Sequence, residues 1–188
     1  MIPESKLDWL ATKEDIMAIR FADNDGSMLR GSSSKDLLWG GDGNDAILGL
    51  AGADNLYGGH GNDSLEGGSG SDYLRGAAGT DRLWGGSGAD VLAGGSDTDY
   101  FIFRAADGTA TDTIRDFRVG EDQLVLGDGL TVNPNASFQE DVDFDGRTDT
   151  VLTLSDSATI VLLGVAVRQN WGVAGSNVMT FDELGLLA

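Results

Sequence analysis

The sequence predicts an all-β fold in which short strands stack on one another as a solenoid. From Gly31 to Ile102 the chain consists of eight consecutive nine-residue units without an insertion, and half of them keep the full Gly-Gly-x-Gly-x-Asp core. The eighth position is always large and apolar, as a strand of about three residues with its middle side chain facing inward requires. A strict period of this kind indicates a stacked geometry rather than one local turn.

The sixth position of every unit is an aspartate: Asp36, Asp45, Asp54, Asp63, Asp72, Asp81, Asp90 and Asp99. The first position is always glycine, and the second and fourth positions are mostly glycine. Glycine permits positive φ and close backbone approach, which leaves carbonyl oxygens pointing into the turn. Because calcium prefers a mixture of carboxylate and carbonyl oxygens, each unit is predicted to be a calcium turn.

In these units the chain resembles the glycine- and aspartate-rich nonapeptides of the RTX (repeats-in-toxin) family. The resemblance implies a right-handed parallel β-roll in which two units form a turn of about 18 residues, so that alternate aspartates share an edge. It also implies calcium ions between stacked turns, roughly six in eight units, held by aspartates and turn carbonyl oxygens. Besides the aspartates above, the ligands implied within the roll are Asp42, Asp97, Gly40, Gly43, Gly49, Gly52, Gly58, Gly61, Gly67, Gly70, Gly76, Gly79, Gly85 and Gly88.

Some units depart from the repeat. Ser32 and Ser34 replace glycines in the first unit, and Asp97 replaces the fourth-position glycine in the last. Terminal units of solenoids are usually atypical, so these residues are predicted to mark caps at both ends, with weaker calcium sites. Leu50 and Ala77 stand at second positions, where the turn is expected to survive if its φ is negative.

Composition predicts that folding depends on calcium. The chain has 31 acidic against 12 basic residues, a formal charge of −19 and no cysteine. Nucleic acid and anionic membranes are therefore poor partners, and disulfides and thiolate metal sites are excluded. Stacked aspartates repel one another without metal, and the 29 glycines raise the entropy cost of ordering. We expect a chain that is largely unfolded without calcium and folded with it.

Residues 1–30 are predicted to form an N-terminal cap. Leu7, Leu10, Ile16, Met17 and Ile19 fall at roughly helical spacing, which favours one short helix over the open first turn of the roll. A linker is the alternative.

Residues 103–188 are predicted to form a strand-rich C-terminal cap. The stretch from Asp112 to Leu124 is similar to the D-x-I-x-D-F-x-x-G-x-D-x-L segment that follows the repeats in many RTX proteins. The similarity implies Asp112 and Asp116 as ligands of the last calcium sites. Exposed strand aspartates are the alternative.

A second acidic motif lies further along the chain. Asp141, Asp143, Asp145 and Asp149 occupy positions one, three, five and nine of an EF-hand-like loop, with Gly146 at six. Position twelve is Leu152 rather than glutamate, and strand patterns flank the loop. A calcium-binding hairpin turn and a plain acidic β-turn are equally compatible with this pattern.

The C-terminal tail bears on localisation. Residues 180–188 carry acidic residues before a short apolar end, which is similar to the uncleaved signal of RTX proteins that leave Gram-negative bacteria by type I export. The resemblance therefore implies an extracellular protein and the type I secretion apparatus as a partner. A chain end that packs on the fold is the alternative. No segment is long enough to span a membrane.

No catalytic set is recognisable. The single histidine, His60, occupies a variable turn position, and no Ser/His/Asp set can be assigned near it. A zinc site of two or three histidines is excluded, because the chain has one histidine. The first hypothesis is a calcium-dependent folding and secretion module of an exoprotein, which includes a catalytic domain of the same protein as a partner. The second is a calcium-dependent carbohydrate- or surface-binding module, in which Trp39, Trp84, Tyr57 and Tyr73 stack on a polysaccharide.

Overall fold

The computed structural model of the protein describes residues 19–21, 26–133, 137–140, 142–165 and 186–187, and this part of the chain is built from strands without an α-helix. Two sheets form, one of nine strands and one of seven. The strands are β1 (Ile19–Phe21), β2 (Met28–Arg30), β3 (Leu37–Asp42), β4 (Ala46–Ala51), β5 (Asn55–His60), β6 (Ser64–Ser69), β7 (Tyr73–Ala78), β8 (Arg82–Ser87), β9 (Val91–Ser96), β10 (Tyr100–Phe103), β11 (Thr111–Ile114), β12 (Gln123–Leu126), β13 (Phe138–Glu140), β14 (Asp149–Thr153), β15 (Thr159–Leu162) and β16 (Leu186–Leu187).

Consecutive units alternate between the two sheets. β3, β5, β7 and β9 lie side by side in the nine-stranded sheet, while β4, β6 and β8 lie in the seven-stranded sheet. The strands pair in parallel with a register of two units, so that Leu38 lies beside Leu56 and Ile47 beside Leu65. The predicted parallel β-roll, with 18 residues per turn, is confirmed.

The eighth-position side chains fill the space between the sheets. They are almost inaccessible to solvent, with exposures of 1% or less. Each one stacks on the equivalent residue of the next turn, so the core is a double column: Leu38, Leu56, Leu74 and Leu92 on one sheet and Ile47, Leu65, Leu83 and Phe101 on the other. Apolar burial along these columns is the main favourable contribution to the stability of the roll.

The strands are longer than the three residues predicted from the sequence. β3 to β9 each contain six residues, because hydrogen bonding continues past the apolar triplet into the next unit. A bend falls at the second position of the new unit, where Gly41 has a φ of 100° and Gly59 a φ of 120°. Positive φ at this position redirects the chain toward the opposite sheet.

Leu50 and Ala77 keep this bend with φ values of 83° and 92°. The turn therefore survives at both residues although φ is positive, and the negative φ that the sequence analysis required is not needed. Their neighbours across the sheet, Gly68 and Gly59, pair with them in the regular register. The stacked turns thus impose the left-handed conformation on residues that carry a β-carbon, at a local cost of about 1 kcal/mol or more.

The parallel ladders begin before the eight units. β1 pairs with β3, and β2 pairs with β4, so Ile19 and Leu29 belong to strands of the roll. The helical assignment is wrong for Ile19, because its backbone hydrogen bonds go to a neighbouring strand. The other residues of the predicted helix lie outside the described residues. Ser32 and Ser34 therefore do not mark the end of the solenoid.

The ladders also continue beyond Ile102. β11 extends the nine-stranded sheet, and β12 extends the seven-stranded sheet, with Ile114 beside Leu92 and Leu124 beside Phe101. Asp97 is therefore not a terminal cap. β15 then pairs in parallel with β11 and forms an antiparallel hairpin with β14, which in turn pairs with β13. The prediction of a strand-rich C-terminal segment is confirmed for the described residues.

Candidate calcium-binding rows

The sixth-position aspartates form two rows, one leading into each sheet. Row A precedes the strands of the nine-stranded sheet and contains Asp36, Asp54, Asp72, Asp90 and Asp112. Row B precedes the strands of the seven-stranded sheet and contains Asp45, Asp63, Asp81, Asp99 and Asp122. All ten side chains are buried.

Within a row, each aspartate joins its own turn to the previous one. Oδ1 of Asp54 accepts a hydrogen bond of 2.7 Å from the backbone N–H of Asp36, and Oδ1 of Asp72 accepts one of 2.7 Å from Asp54. The same bond recurs along both rows, up to Asp90 N–H to Asp112 and Asp99 N–H to Asp122. One carboxylate oxygen of each aspartate is thus committed to the stack.

The second oxygen is left without a hydrogen bond. In seven of the aspartates Oδ2 is buried and has no hydrogen-bond partner among the described residues: Asp45, Asp54, Asp63, Asp72, Asp81, Asp90 and Asp99. An unpartnered charged oxygen in the protein interior costs several kcal/mol unless a cation neutralises it. The repeated pattern therefore fits a cation beside each of these seven oxygens.

Carbonyl oxygens approach the same place. A β-carbon on Gly49 would stand 2.6 Å from Oδ2 of Asp54 and 2.5 Å from the carbonyl oxygen of Gly67 on the next turn. Gly67 has the same relation to Asp72 and to the carbonyl of Gly85. The first-position glycines are therefore required by close approach, since any side chain would fill the space that a carboxylate and a carbonyl oxygen share.

The fourth-position glycines have a different requirement. Gly52 and Gly61 adopt φ values of 129° and 122°. A β-carbon on Gly61 would collide with the carbonyl oxygen of Gly43 on the preceding turn. Sequence reasoning assigned both roles to the glycines together, whereas the structure divides them: close approach at the first position, and positive φ with close approach at the fourth.

Burial makes these carboxylates hard to ionise in the absence of metal. Loss of solvation raises the pKa of Asp54 to about 6, and it raises the pKa values of Asp81, Asp90, Asp99 and Asp112 to about 7. Hydrogen bonds from the backbone oppose this rise, and neighbouring aspartates of the same row mostly add to it. A bound divalent cation reverses the balance by favouring the charged form.

The donor set fits calcium. Each turn offers buried carboxylate oxygens and glycine carbonyl oxygens and no softer ligand, which is the chemistry that a hard cation prefers. Among the described residues no three carboxylate or imidazole groups converge on one point. A cation in the rows would therefore need the turn carbonyls as well as the aspartates.

The rows end in different ways. At the start of row A, the backbone N–H and the hydroxyl of Ser32 both donate to Oδ2 of Asp36, at 2.5 Å and 3.0 Å. At the end of row B, Arg118 lies beside Asp99 and Asp122. At the first of these ends a serine donates hydrogen bonds to the row carboxylate, and at the second an arginine lies within ion-pairing distance of two row carboxylates.

The structure places Asp112 in row A, and it adds one residue that sequence reasoning missed. Asp122 continues row B, and the segment 117–125 has Gly120, Asp122 and Leu124 at positions four, six and eight of a nonapeptide. Asp112 and Ile114 hold the same positions in the segment 107–115. Short insertions broke the period and concealed these two units, although their D-x-I and D-x-L signals were readable.

The remaining predicted ligands of this region lie apart from the row interior. Asp116 is half-buried, and its Oδ1 accepts a 2.9 Å hydrogen bond from the backbone N–H of Gly94. Asp42 is exposed at the end of β3, and Asp97 is exposed in the bend after β9. His60 pairs with Asp42 across the sheet and is likewise exposed, as predicted.

Among the described residues of the 141–149 loop, no three acidic side chains converge on one point. Asp149 is fully buried, and its two oxygens accept hydrogen bonds from the backbone N–H groups of Gly164 (2.6 Å) and Val142 (2.8 Å). Asp143 and Asp145 are exposed, and Asp145 pairs with Arg147. Asp141 lies outside the described residues. In this loop the turn is organised by aspartate side chains that bind backbone N–H groups.

The outward-facing aromatic residues fall into two groups. Trp39 stacks on Tyr57 with ring centroids 5.3 Å apart, and Tyr57 contacts Tyr73 at 5.8 Å. Trp84 instead packs within the protein: its indole N–H donates to Asp107, and the Arg104 guanidinium lies 4.0 Å above its ring. Only the first group keeps a large exposed ring, since Trp39 is 46% exposed.

Fold and site together define a parallel β-roll with stacked oxygen donors in its turns. The family model of the RTX calcium-binding nonapeptide repeat (four copies) matches the chain at residues 22–54, 30–65, 39–74 and 66–101. Residues 22–101 therefore carry RTX calcium-binding nonapeptide repeats, and the β-roll that they form is a calcium-binding module.

A solved structure is also similar to the chain. It is the AlgE6R3 subunit of the mannuronan C5-epimerase from Azotobacter vinelandii, with 27% sequence identity over 76% of this chain and 74% of that one, and a TM-score of 0.34. No curated protein matches the sequence. The described residues contain no helix that is long and apolar enough to cross a membrane.

Proposed function

We propose that the chain is a calcium-responsive folding module of a secreted protein, which stays largely unfolded at the low calcium level inside a cell and folds on calcium outside it. The observation that carries the proposal is the pair of aspartate rows with buried, unpartnered Oδ2 atoms. Without a cation, each such atom opposes folding, and with one it links two turns. Folding and metal binding are thereby coupled.

The proposed ligands are the row aspartates with the carbonyl oxygens of the first- and fourth-position glycines. If each ion is shared between neighbouring turns of one row, the eight regular units have three gaps in each row and would bind roughly six calcium ions. Asp112 and Asp122 add a fourth gap to each row. Asp112 is a proposed ligand at the end of row A. Asp42, Asp97, Asp116 and the acidic residues of the 141–149 loop are weaker candidates, because none of them belongs to the series of aspartates that join neighbouring turns in the rows.

The proposed route outside the cell is type I export from a Gram-negative bacterium. RTX repeats are typical of secreted proteins, and a chain that remains unfolded inside the cell suits passage through a narrow channel. Of the tail that resembles an export signal, the structure describes only β16, which pairs with β12 in the seven-stranded sheet. The sequence divides the chain into residues 1–30, 31–102 and 103–188. Because parallel strand pairing continues across both boundaries, we propose a roll that begins before residue 31 and ends after residue 102.

Circular dichroism of the whole chain, titrated with calcium, tests the coupling. We expect strand signal to appear cooperatively with calcium and to disappear with EDTA. Magnesium at the same concentration is the matched control and should be far less effective, because it requires a stricter octahedral geometry and gives up its water reluctantly. A chain with full strand signal in EDTA, or one that magnesium folds equally well, would contradict the proposal.

A second candidate function is binding of a polysaccharide on the outer face of the nine-stranded sheet. Its specific support is the stack of Trp39 and Tyr57, which offers adjacent aromatic rings at the spacing of neighbouring strands. A glycan array in calcium and in EDTA would test it, with W39A as the variant. F144A is the control, because Phe144 is a 90% exposed ring on a distant loop. Absence of any calcium-dependent glycan signal that W39A removes would contradict this function.

A further inference from the structure

Row B ends at an arginine. The Arg118 guanidinium donates through Nη2 to the carbonyl oxygen of Asp97 at 2.5 Å, and the same nitrogen lies 3.9 Å from Oδ2 of Asp99. Its Nε lies 3.7 Å from Oδ2 of Asp122. One positive group therefore stands between the last two aspartates of the row.

The groups that Arg118 contacts are the counterparts of those left free in the other turns. Asp99 is fully buried, and its Oδ2 has no hydrogen-bond partner among the described residues, as in the lower turns of the row. The carbonyl of Asp97 follows in the series of fourth-position carbonyls formed by Gly43 and Gly61, which face the next turn. The guanidinium thus lies beside the same kinds of carboxylate and carbonyl oxygens that we propose as calcium ligands in the other turns.

The end of row A has no such group. Asp90 and Asp112 are joined by the usual backbone hydrogen bond of 2.9 Å. The ion pairs of Arg118 are with Asp99, Glu121 and Asp122, so this guanidinium pairs with row B and not with Asp90 or Asp112. The two rows are therefore alike along their length and differ in charge at this end.

We propose that Arg118 is a built-in cation that closes row B, so that the gap between Asp99 and Asp122 holds a guanidinium group in place of a calcium ion. The inference rests on the proposed function, since it concerns where the series of calcium ions stops. Arginine suits the task because its fork of donors reaches a carbonyl and two carboxylates at once and remains charged at any accessible pH. Glu121, 3.3 Å from Nη1, helps to hold the side chain in place.

The test counts calcium bound per chain by equilibrium dialysis and atomic emission at saturating calcium. R118Q and R118A are the variants, of which the second leaves no side-chain donor at this position. We expect each to bind one more calcium ion than the wild type. R115Q is the matched control: Arg115 is exposed, three residues away, and its loss should leave the wild-type count.

A second measurement follows the melting temperature against calcium concentration. Because one more site adds one more ion to the folding equilibrium, the R118Q curve should rise more steeply than that of R115Q. If both Arg118 variants fold and bind the wild-type number of ions, the inference is overturned. It is also overturned if neither variant folds in saturating calcium, since calcium then cannot replace the guanidinium. A wild-type chain that binds no calcium would instead contradict the proposed function itself.

Discussion

The roll and the C-terminal hairpin of β14 and β15 both bury aspartates, but they satisfy them in different ways. In the hairpin, both oxygens of Asp149 accept backbone hydrogen bonds, from Val142 and Gly164. In the roll, Asp72 has one oxygen bonded to the backbone of Asp54 and one without a partner. The two residues are nearly equal in burial, at 0% and 2% exposed.

This difference indicates that the need for calcium lies in the roll and not at Asp149. A buried carboxylate with all its oxygens bonded to N–H groups is stabilised by the chain itself. One with an unpartnered oxygen needs an ion from outside. At Asp149 the hairpin therefore needs no ion, although it is attached to the roll through the pairing of β15 with β11. Four predictions test this contrast.

The largest effect is expected for D72N. Asparagine keeps an oxygen that accepts the hydrogen bond from the Asp54 N–H. It removes the negative charge and one carboxylate oxygen from the two gaps of row A that adjoin residue 72. The calcium concentration at half-folding, measured by circular dichroism, should rise by about tenfold or more. D128N is the control, because Asp128 is exposed on a turn outside the rows. An unchanged midpoint for D72N would place the ions elsewhere.

D149N should destabilise the chain without changing its calcium binding. The amide nitrogen of asparagine cannot accept either of the two N–H bonds that Asp149 accepts, so one buried donor loses its partner. We expect a loss of about 2 kcal/mol in the free energy of unfolding by urea at saturating calcium. The number of bound ions should equal that of the wild type. A lower count would show that the 141–149 loop binds calcium after all.

Acid should partly replace calcium. Burial raises the pKa values of Asp81, Asp90, Asp99 and Asp112 to about 7, well above the usual 3.8. The metal-free fold therefore binds protons that the unfolded chain releases between about pH 4 and 7, and this stabilisation is lost as the pH rises through 7. In EDTA, strand signal should be greater at pH 5 than at pH 7.5.

With calcium present, the direction reverses, because protons compete with the ion for the same oxygens. The calcium midpoint should therefore rise as the pH falls from 7.5 to 5. An EDTA sample that has less strand signal at pH 5 than at pH 7.5 would show that the row aspartates are not buried without metal.

The smallest effect is expected at two adjacent alanines. A77G relieves a φ of 92°, whereas A78G adds flexibility to a residue without such strain. The first should stabilise the calcium-loaded chain by up to about 1 kcal/mol, and the second should destabilise it by about 0.5–1 kcal/mol. Urea unfolding of the two variants side by side measures the difference. Equal effects would mean that the stack carries the bend at Ala77 without cost.

Much of the roll could be predicted because its signals are local and repeated. Leu38 and Leu56 are inward residues in any model that respects strand alternation, and the spacing of Asp36 and Asp54 follows once two units make a turn. Asp122 was missed because insertions outside the uninterrupted repeats shift it out of phase. The helix assignment at Ile19 failed because a spacing of apolar residues does not show where the backbone N–H groups bond.

The EF-hand-like loop shows the limit of spacing as a signal. Positions one, three, five and nine describe ligands only if the backbone wraps around a point. At Asp149 the chain instead folds into a hairpin, whose own N–H groups take up the carboxylate. Which partner an aspartate meets depends on residues as distant in sequence as Gly164.

By itself, the sequence determined the stacked β-roll, the inward columns and the oxygen-rich turns, because a nine-residue period repeats the same local geometry. Tertiary structure alone decided which oxygens lack partners, how far each row extends and what closes it. These depend on contacts between turns, such as the ion pair of Arg118 with Asp99, in which residues that are distant in sequence come together. Local periodicity places the aspartates, and long-range packing decides whether each one meets an N–H group, a guanidinium or an ion.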